Sequence, residues 1–160
     1  MATPTSQAPA GSRNAQNLRI GIVTAKWNYP ITSQLEAGAL RALQEMGCAP
    51  GKIKSVYVPG AFEIPLAVQA LLESGFDGVV ALGCVIRGET SHYDYVCNAV
   101  ERGCSEVQLK LNKPVGFGIL TTENEQQALD RVGGKHGHKG EEAAQVVIEM
   151  INLLRELKNG

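Results

Sequence analysis

GVVALGCVI, residues 78–86, carries apolar side chains on both faces, the pattern of a strand buried at the centre of a parallel sheet. It runs directly into RGETSHYD (87–94), where an arginine, a glycine, two aliphatic hydroxyls, a histidine and two acids collect within one short stretch. A buried strand with hydrogen-bonding and proton-transfer groups at its mouth governs how the flanking sequence is read.

Upstream, LRIGIVTA (18–25) is a short β-branched run that ends in KWNYP. ITSQLEAGALRALQEMG follows, with Ile31, Leu35, Ala39, Leu43 and Met46 at helical spacing. Ser33 and Glu36 are placed as a capping box, and Gly47 as a C-terminal stop. IKSVYV (53–58) reads as a strand broken by Pro59-Gly60. AFEIPLAVQALLESG then reads as a helix with Pro65 in its first turn and Gly75 past its end. Downstream, residues 91–110 are helical, with Val96, Ala99, Val100, Cys104 and Val107 on one stripe, and PVGFGIL (114–120) is a fourth strand. Thr122 with Glu125 is expected to cap a short helix ending near Val132. The loop GGKHGHKG then leads into a helix over 141–158 carrying Ala144, Val147, Ile148, Ile151 and Leu154.

Strand and helix alternate throughout, so the expected class is α/β: a three-layer α/β/α sandwich around a central, mainly parallel four-stranded sheet. Crossovers in such a sheet are right-handed, and ligands sit beyond the carboxyl ends of its strands. The unusual residues fall at those ends: KWN after the first strand, PGAFE after the second, RGETSHYD after the third and TTEN after the fourth.

At 160 residues the chain suits one domain, placed over 17–158, and the polar, Pro/Ala/Ser-rich residues 1–16 read as a disordered tail. No apolar run approaches the roughly 20 residues that span a bilayer, and the N-terminus has no apolar secretory core. A net charge of −1 without a Lys/Arg cluster gives no nucleic-acid footprint. Cys48, Cys84, Cys97 and Cys104 form no CxxC pair and are expected as reduced thiols of a cytoplasmic protein.

The chemistry at the strand ends is first bounded by absences. There is no G-x-G-x-x-G after the first strand, no G-x-x-x-x-G-K-[ST] and no G-x-S-x-G elbow. His136 and His138 have no obvious third ligand, so a solvated loop is preferred to a metal site. GETS precedes a helix, where free N–H groups and a hydroxyl from Thr90 or Ser91 make an anion pocket. Plain N-capping by those residues, with Asp94 completing a box, is the commoner use. Glu89 must face outward for an anion to bind. His92, in the first helical turn, could titrate near neutrality and move protons, or be an ordinary surface histidine. Arg131 and Lys135 flank a Gly-Gly pair and Lys139 follows; they could grip a phosphate or simply complement a helix dipole. Trp27 and Phe62 follow strand ends as stacking platforms for a planar ligand, or as core.

Together these residues describe a site for a planar heterocycle, a phosphate and a proton shuttle. Five motifs carry the resemblance: KWN (26–28), PGAFEIP (59–65), LGCVIRGETSHYDYV (82–96), FGILTTEN (117–124) and DRVGGKHGHKGEEAA (130–144). In that order the chain resembles the lumazine synthases, 6,7-dimethyl-8-ribityllumazine synthases also called riboflavin synthase beta chains, from about residue 18 to 157. The resemblance implies a flavodoxin-like fold and a condensation of 5-amino-6-ribitylamino-2,4-pyrimidinedione with 3,4-dihydroxy-2-butanone 4-phosphate. The products are 6,7-dimethyl-8-ribityllumazine, phosphate and water, in the penultimate step of riboflavin biosynthesis. It implies no metal and no organic cofactor.

Carried over position by position, His92 matches the proton-transfer histidine and Arg131 the phosphate-binding arginine, helped by Gly88, Glu89 and Thr90. Trp27, where many members have Phe, takes the position that stacks on the pyrimidine. Ala61, Phe62 and Glu63 match the segment that holds the ribityl chain, and Val85 and Ile86 offer backbone groups to the heterocycle. Phe117 and Lys139 match residues that reach the site from a neighbouring subunit. The resemblance also implies cyclic pentamers. The short loop GGKHGHKG, without insertion, is similar to that of members that form a 60-subunit icosahedral shell, with riboflavin synthase a candidate partner. The alternative is a riboflavin- or lumazine-binding or shell-forming protein of the same fold with little turnover. A flavodoxin-like electron carrier is disfavoured because KWNYP lacks a Ser/Thr/Gly-rich phosphate loop.

Overall fold

A computed structural model describes residues 8–160. Its elements are β1 (Ile20–Ala25), α1 (Tyr29–Glu45), β2 (Ile53–Val58), α2 (Ile64–Glu73), β3 (Gly78–Ile86), α3 (His92–Leu111), β4 (Val115–Thr122), α4 (Glu125–Leu129), β5 (Val132–Gly134), β6 (Gly137–His138) and α5 (Lys139–Asn159). The first four strands form one sheet in the order β2-β1-β3-β4, and every pair is parallel.

Alternation along the strands splits the core into two layers. Ile20 and Ile22 of β1, with Val80 and Leu82 of β3, pack under α1 and α5 against Leu35, Leu43, Val147 and Ile148. Val23 and Ala25, with Val79 and Ala81, face α2 and α3 and meet Ile64, Val68, Val100 and Cys104. The two middle strands are therefore covered on both sides, which is why GVVALGCVI has no polar face. Each fully buried Leu, Ile or Val contributes roughly 1.5–3 kcal/mol. Helix α5 crosses the sheet closely: a Cβ at Gly116 would stand 2.5 Å from the Ala143 carbonyl oxygen.

The strands, the four main helices and the three-layer class agree with the sequence reading, and four local expectations need correction. Helix α1 begins at Tyr29, not after a Ser33–Glu36 box. Asn28, in the left-handed region at φ 61, ends the turn, and Pro30 suits the first helical turn. Glu36 is buried and takes the Tyr57 hydroxyl at 2.7 Å instead of capping. Asn124, not Thr122, caps α4: its Oδ1 accepts from the Gln127 N–H at 2.9 Å, while the Thr122 hydroxyl donates to the Asn124 carbonyl. The loop GGKHGHKG is a small antiparallel hairpin, β5–β6. Within it His138 is half-buried, and its Nδ1 accepts from the Gly140 and Glu141 N–H groups at the start of α5. The ring stands where a Cβ on Gly38 would fall. It is a helix cap with its imidazole in the α1–α5 seam, not part of a solvated loop.

The segment expected as a disordered tail is laid against the helices from Gly11 onward. The Gly11 N–H donates to Glu149 Oε1 at 2.7 Å, and Asn152 Nδ2 donates to the carbonyls of Ser12 and Asn14. Ala15 is fully buried, with its N–H on the Met46 carbonyl at 2.8 Å. Residues 1–7 of that expected tail lie outside the described residues. Among the described residues no helix is long and apolar enough to cross a membrane.

Candidate active site

Strand lengths create the site. Pairing between β1 and β3 stops at Thr24 with Leu82, whereas β3 and β4 continue to Ile86 with Thr122. The end of β3 therefore overhangs β1 and leaves an open edge. Asn28 Nδ2 donates to the Cys84 carbonyl across that edge at 2.8 Å. On the other side, the Arg87 N–H reaches the Thr122 carbonyl of β4. With the Cys84 carbonyl on the open edge and the Arg87 N–H toward β4, the alternation of backbone groups turns those of Ile86 to the open edge and those of Val85 to β4.

A groove of about 670 Å³ lies over this edge, at the carboxyl ends of the strands. Trp27, Ala61, Phe62, Glu63, Val85, Ile86, Gly88, Thr90 and His92 all line it. Trp27 is 74% exposed and Phe62 65%, so neither is core. With Tyr95, 72% exposed, they present large aromatic faces to a planar ligand.

Ala61–Glu63 forms one turn of 3-10 helix leading into α2. Glu63 Oε1 accepts from the Gly60 N–H at 3.0 Å and so holds the turn that carries Phe62. Its Oε2 has no protein partner among the described residues. At the start of α3 the Thr90 hydroxyl accepts from the His92 N–H at 3.3 Å, and the Ser91 side chain makes no cap bond. Asp94 completes no capping box; it faces Arg87 at 3.5 Å. Gly88 to His92 are all exposed, with Glu89 beside the groove and not lining it. In that first turn the Asp94 and Tyr95 N–H groups reach the Ser91 carbonyl, so the positive end of the helix dipole, more than a row of free N–H groups, favours an anion beside the imidazole.

Cys84 lies on the floor of the groove, and burial above all, with a smaller push from Glu125, raises its thiol to about 11. It stays protonated at neutral pH and is no nucleophile. His92 brings the one imidazole among the residues lining the groove, a ring that can accept a proton from a bound reactant or donate one to it.

Three expected site residues stand elsewhere. Phe117 and Lys139 line a second groove of about 590 Å³, between the end of α3, β4 and α5. There Lys139 Nζ stands 3.3 Å from Glu142 Oε1. Arg131 lines neither groove; its Nη1 donates to the Gln127 carbonyl, and its own carbonyl accepts from the Lys139 N–H at 2.9 Å. Among the described residues no three His, Cys, Asp or Glu side chains are grouped to hold a metal ion.

Residues 17–155 match the family model described as 6,7-dimethyl-8-ribityllumazine synthase. The chain belongs to that family. A protein of Bdellovibrio bacteriovorus named 6,7-dimethyl-8-ribityllumazine synthase is 61% identical over 140 residues, 88% of this chain and 77% of the relative. One of Cytophaga hutchinsonii with the same name is 50% identical over 139 residues, 86% of this chain and 87% of the relative. As a lumazine synthase the chain is an enzyme of the transferase class, acting on small-molecule substrates in riboflavin biosynthesis.

Sequence reasoning missed several lumazine synthase groove residues. Gly60, Tyr93, Tyr95 and Val96 line it, as do Asn28 and Cys84. Asn28 closes the KWN motif and Tyr93 and Tyr95 lie in the SHYDYV stretch, so their place beside His92 and Trp27 was the available signal.

Proposed function

We propose that 5-amino-6-ribitylamino-2,4-pyrimidinedione condenses with 3,4-dihydroxy-2-butanone 4-phosphate in the groove at the mouth of β3, giving 6,7-dimethyl-8-ribityllumazine, phosphate and water. The observation that carries this reading is that Trp27, Phe62 and His92, from three separate chain segments, share one groove beside the N-terminus of α3. The pyrimidine stacks on Trp27, its edge meets the free backbone of Ile86 with Val85 behind it, and Ala61, Phe62 and Glu63 hold the ribityl chain. Glu63 Oε2 is the acceptor left for its hydroxyls. The phosphate sits at the start of α3 on Gly88, Glu89 and Thr90.

The amine attacks the ketone to form an imine with loss of water, phosphate is eliminated to leave an enol that tautomerises to a carbonyl, and the second nitrogen closes the ring on that carbonyl with loss of a second water. Each step moves protons, and His92 stands between the phosphate end and the heterocycle end to carry them. A positioned general acid–base group contributes typically ~10²–10⁴-fold. Holding both reactants together contributes up to about 7–11 kcal/mol of the barrier.

Phe117, Lys139 and, through its backbone tie to Lys139, Arg131 are supplied by a neighbouring copy. Their distance from the groove within one chain supports that reading, as does the exposure of Phe117 on β4, the edge strand of the sheet. The chain self-associates on this account, into cyclic pentamers and further into a 60-subunit shell, with riboflavin synthase as a partner. The compact β5–β6 hairpin leaves the junctions between copies unobstructed. The free thiols suit a cytoplasmic protein.

The test mixes purified protein with both substrates and follows lumazine absorbance and phosphate release against a no-enzyme control. Equal amounts of product and phosphate, formed faster than the control, are expected. Quenching of Trp27 fluorescence by riboflavin without acceleration would instead mark a flavin-binding module.

A further inference from the structure

Arg87 follows the last residue of β3 and joins three segments at the phosphate end of the groove. Its Nε donates to Glu123 Oε2 at 2.7 Å, in the turn after β4. Its Nη2 reaches Asp94 Oδ1 in the first turn of α3 at 3.5 Å. The guanidinium lies over the ring of Tyr93, 4.3 Å from its centroid, and Tyr93 lines the groove next to His92.

These contacts are poor candidates for holding the fold together. The side chains of Arg87, Asp94 and Glu123 are 39%, 55% and 58% exposed, and exposed ion pairs contribute little to global stability. They are well placed for something else. Residues 88–91 between β3 and α3 are exposed, and among the described residues the start of α3 has no side-chain cap from Ser91. The flat guanidinium fixes where the first turn of α3 stands relative to the strand ends. A planar fork can stack on an aromatic ring and bond a carboxylate at the same time, which an ammonium cannot.

We propose that Arg87 is a positioning residue for the condensation, clamping the first turn of α3 to β3 and the turn after β4 so that His92 and Tyr93 keep their place in the groove. It touches neither reactant. The proposal rests on the reading of His92 as the proton-transfer group, and it adds that this placement is maintained from outside the groove. Displacement of a reacting group by an ångström can cost about 10²-fold in rate.

The test compares Arg87→Gln, Arg87→Lys, His92→Ala and the Arg87→Gln/His92→Ala double variant, by steady-state kinetics with both substrates and by thermal unfolding. Arg87→Gln is expected to lower kcat by roughly tenfold or more with the unfolding midpoint nearly unchanged. Arg87→Lys, which keeps the charge but not the stacked fork, should still leave kcat several-fold low, with KM for the phosphate substrate near the parent's in both variants. Because Arg87 acts through His92, Arg87→Gln should cost little further in the His92→Ala background. Full recovery of kcat by lysine, or equal losses in both backgrounds, would overturn the proposal: the first makes Arg87 a charge for phosphate, the second a general support. If His92→Ala alone leaves the rate unchanged, the reading of the site fails. If His92→Ala slows the reaction and Arg87→Gln does not, only the clamp fails.

Discussion

The Asn28 side-chain amide stands 2.8 Å from the Cys84 carbonyl oxygen and ties the turn after β1 to the overhanging end of β3. The bond satisfies a backbone acceptor that the sheet leaves open, and it holds Asn28 in the left-handed region where helix α1 begins. Trp27 is the preceding residue, so this bond also sets the stacking platform.

Asn28→Ala should therefore affect both stability and binding. It loses the bond and pays the left-handed penalty of a Cβ without a local polar partner, about 2 kcal/mol together. Denaturant unfolding should show that loss, and KM for the pyrimidine should rise.

His92→Ala should slow turnover by about 10²-fold without abolishing it, since proximity survives the substitution. The pH–rate profile should lose the limb that His92 provides. An unchanged rate and profile would remove His92 from the mechanism.

Trp27→Ala should leave the unfolding free energy within about 0.5 kcal/mol of the parent's, because the side chain is largely exposed. Its effect should appear in ligand affinity. Loss of a stacked aromatic face should weaken lumazine and riboflavin binding by roughly tenfold, read by titration calorimetry.

His138 gives the fold a pH dependence whose sign is fixed. Burial above all holds its imidazole below the ordinary value of 6.5; Glu141 opposes that shift and Arg41 adds to it. The unfolded chain thus binds the proton more readily between the folded value and 6.5. Stability from the neutral ring is full above 6.5 and is lost as pH falls through the folded value. His138→Ala should cost about 1 kcal/mol at pH 8 through the lost cap, and it should flatten stability against pH below 6.5. Unfolding curves across that range check both.

Much of this architecture was legible because it follows from local pattern. GVVALGCVI is apolar on both faces since helices cover both, and the glycines at 47 and 75 end their helices with positive φ. What was not legible depends on distant partners. The start of α1 is set at Asn28 by a carbonyl on another strand, and Glu36 is drawn from capping duty by Tyr57 on β2. The β5–β6 hairpin is too short for alternation to register, and His138 is a cap only because α5 begins beside it. Residues 11–16 lack an apolar stripe yet are held by hydrogen bonds to α5, with Ala15 alone buried. At the site, Trp27, Phe62 and His92 were legible as strand-end residues. The separation of Phe117, Lys139 and Arg131 from them was visible only once the second groove was placed.

That separation is the centre of the account, and subunit mixing tests it most directly. His92→Ala and Lys139→Ala chains, each weakly active alone, would be co-expressed in equal amounts and assayed as mixed assemblies. If each site joins one chain's groove to a neighbour's Lys139, about a quarter of the sites recover both intact halves, and activity should rise toward a quarter of the parent's. Mixed assemblies that form but stay at the activity of the separate variants would contradict a shared site.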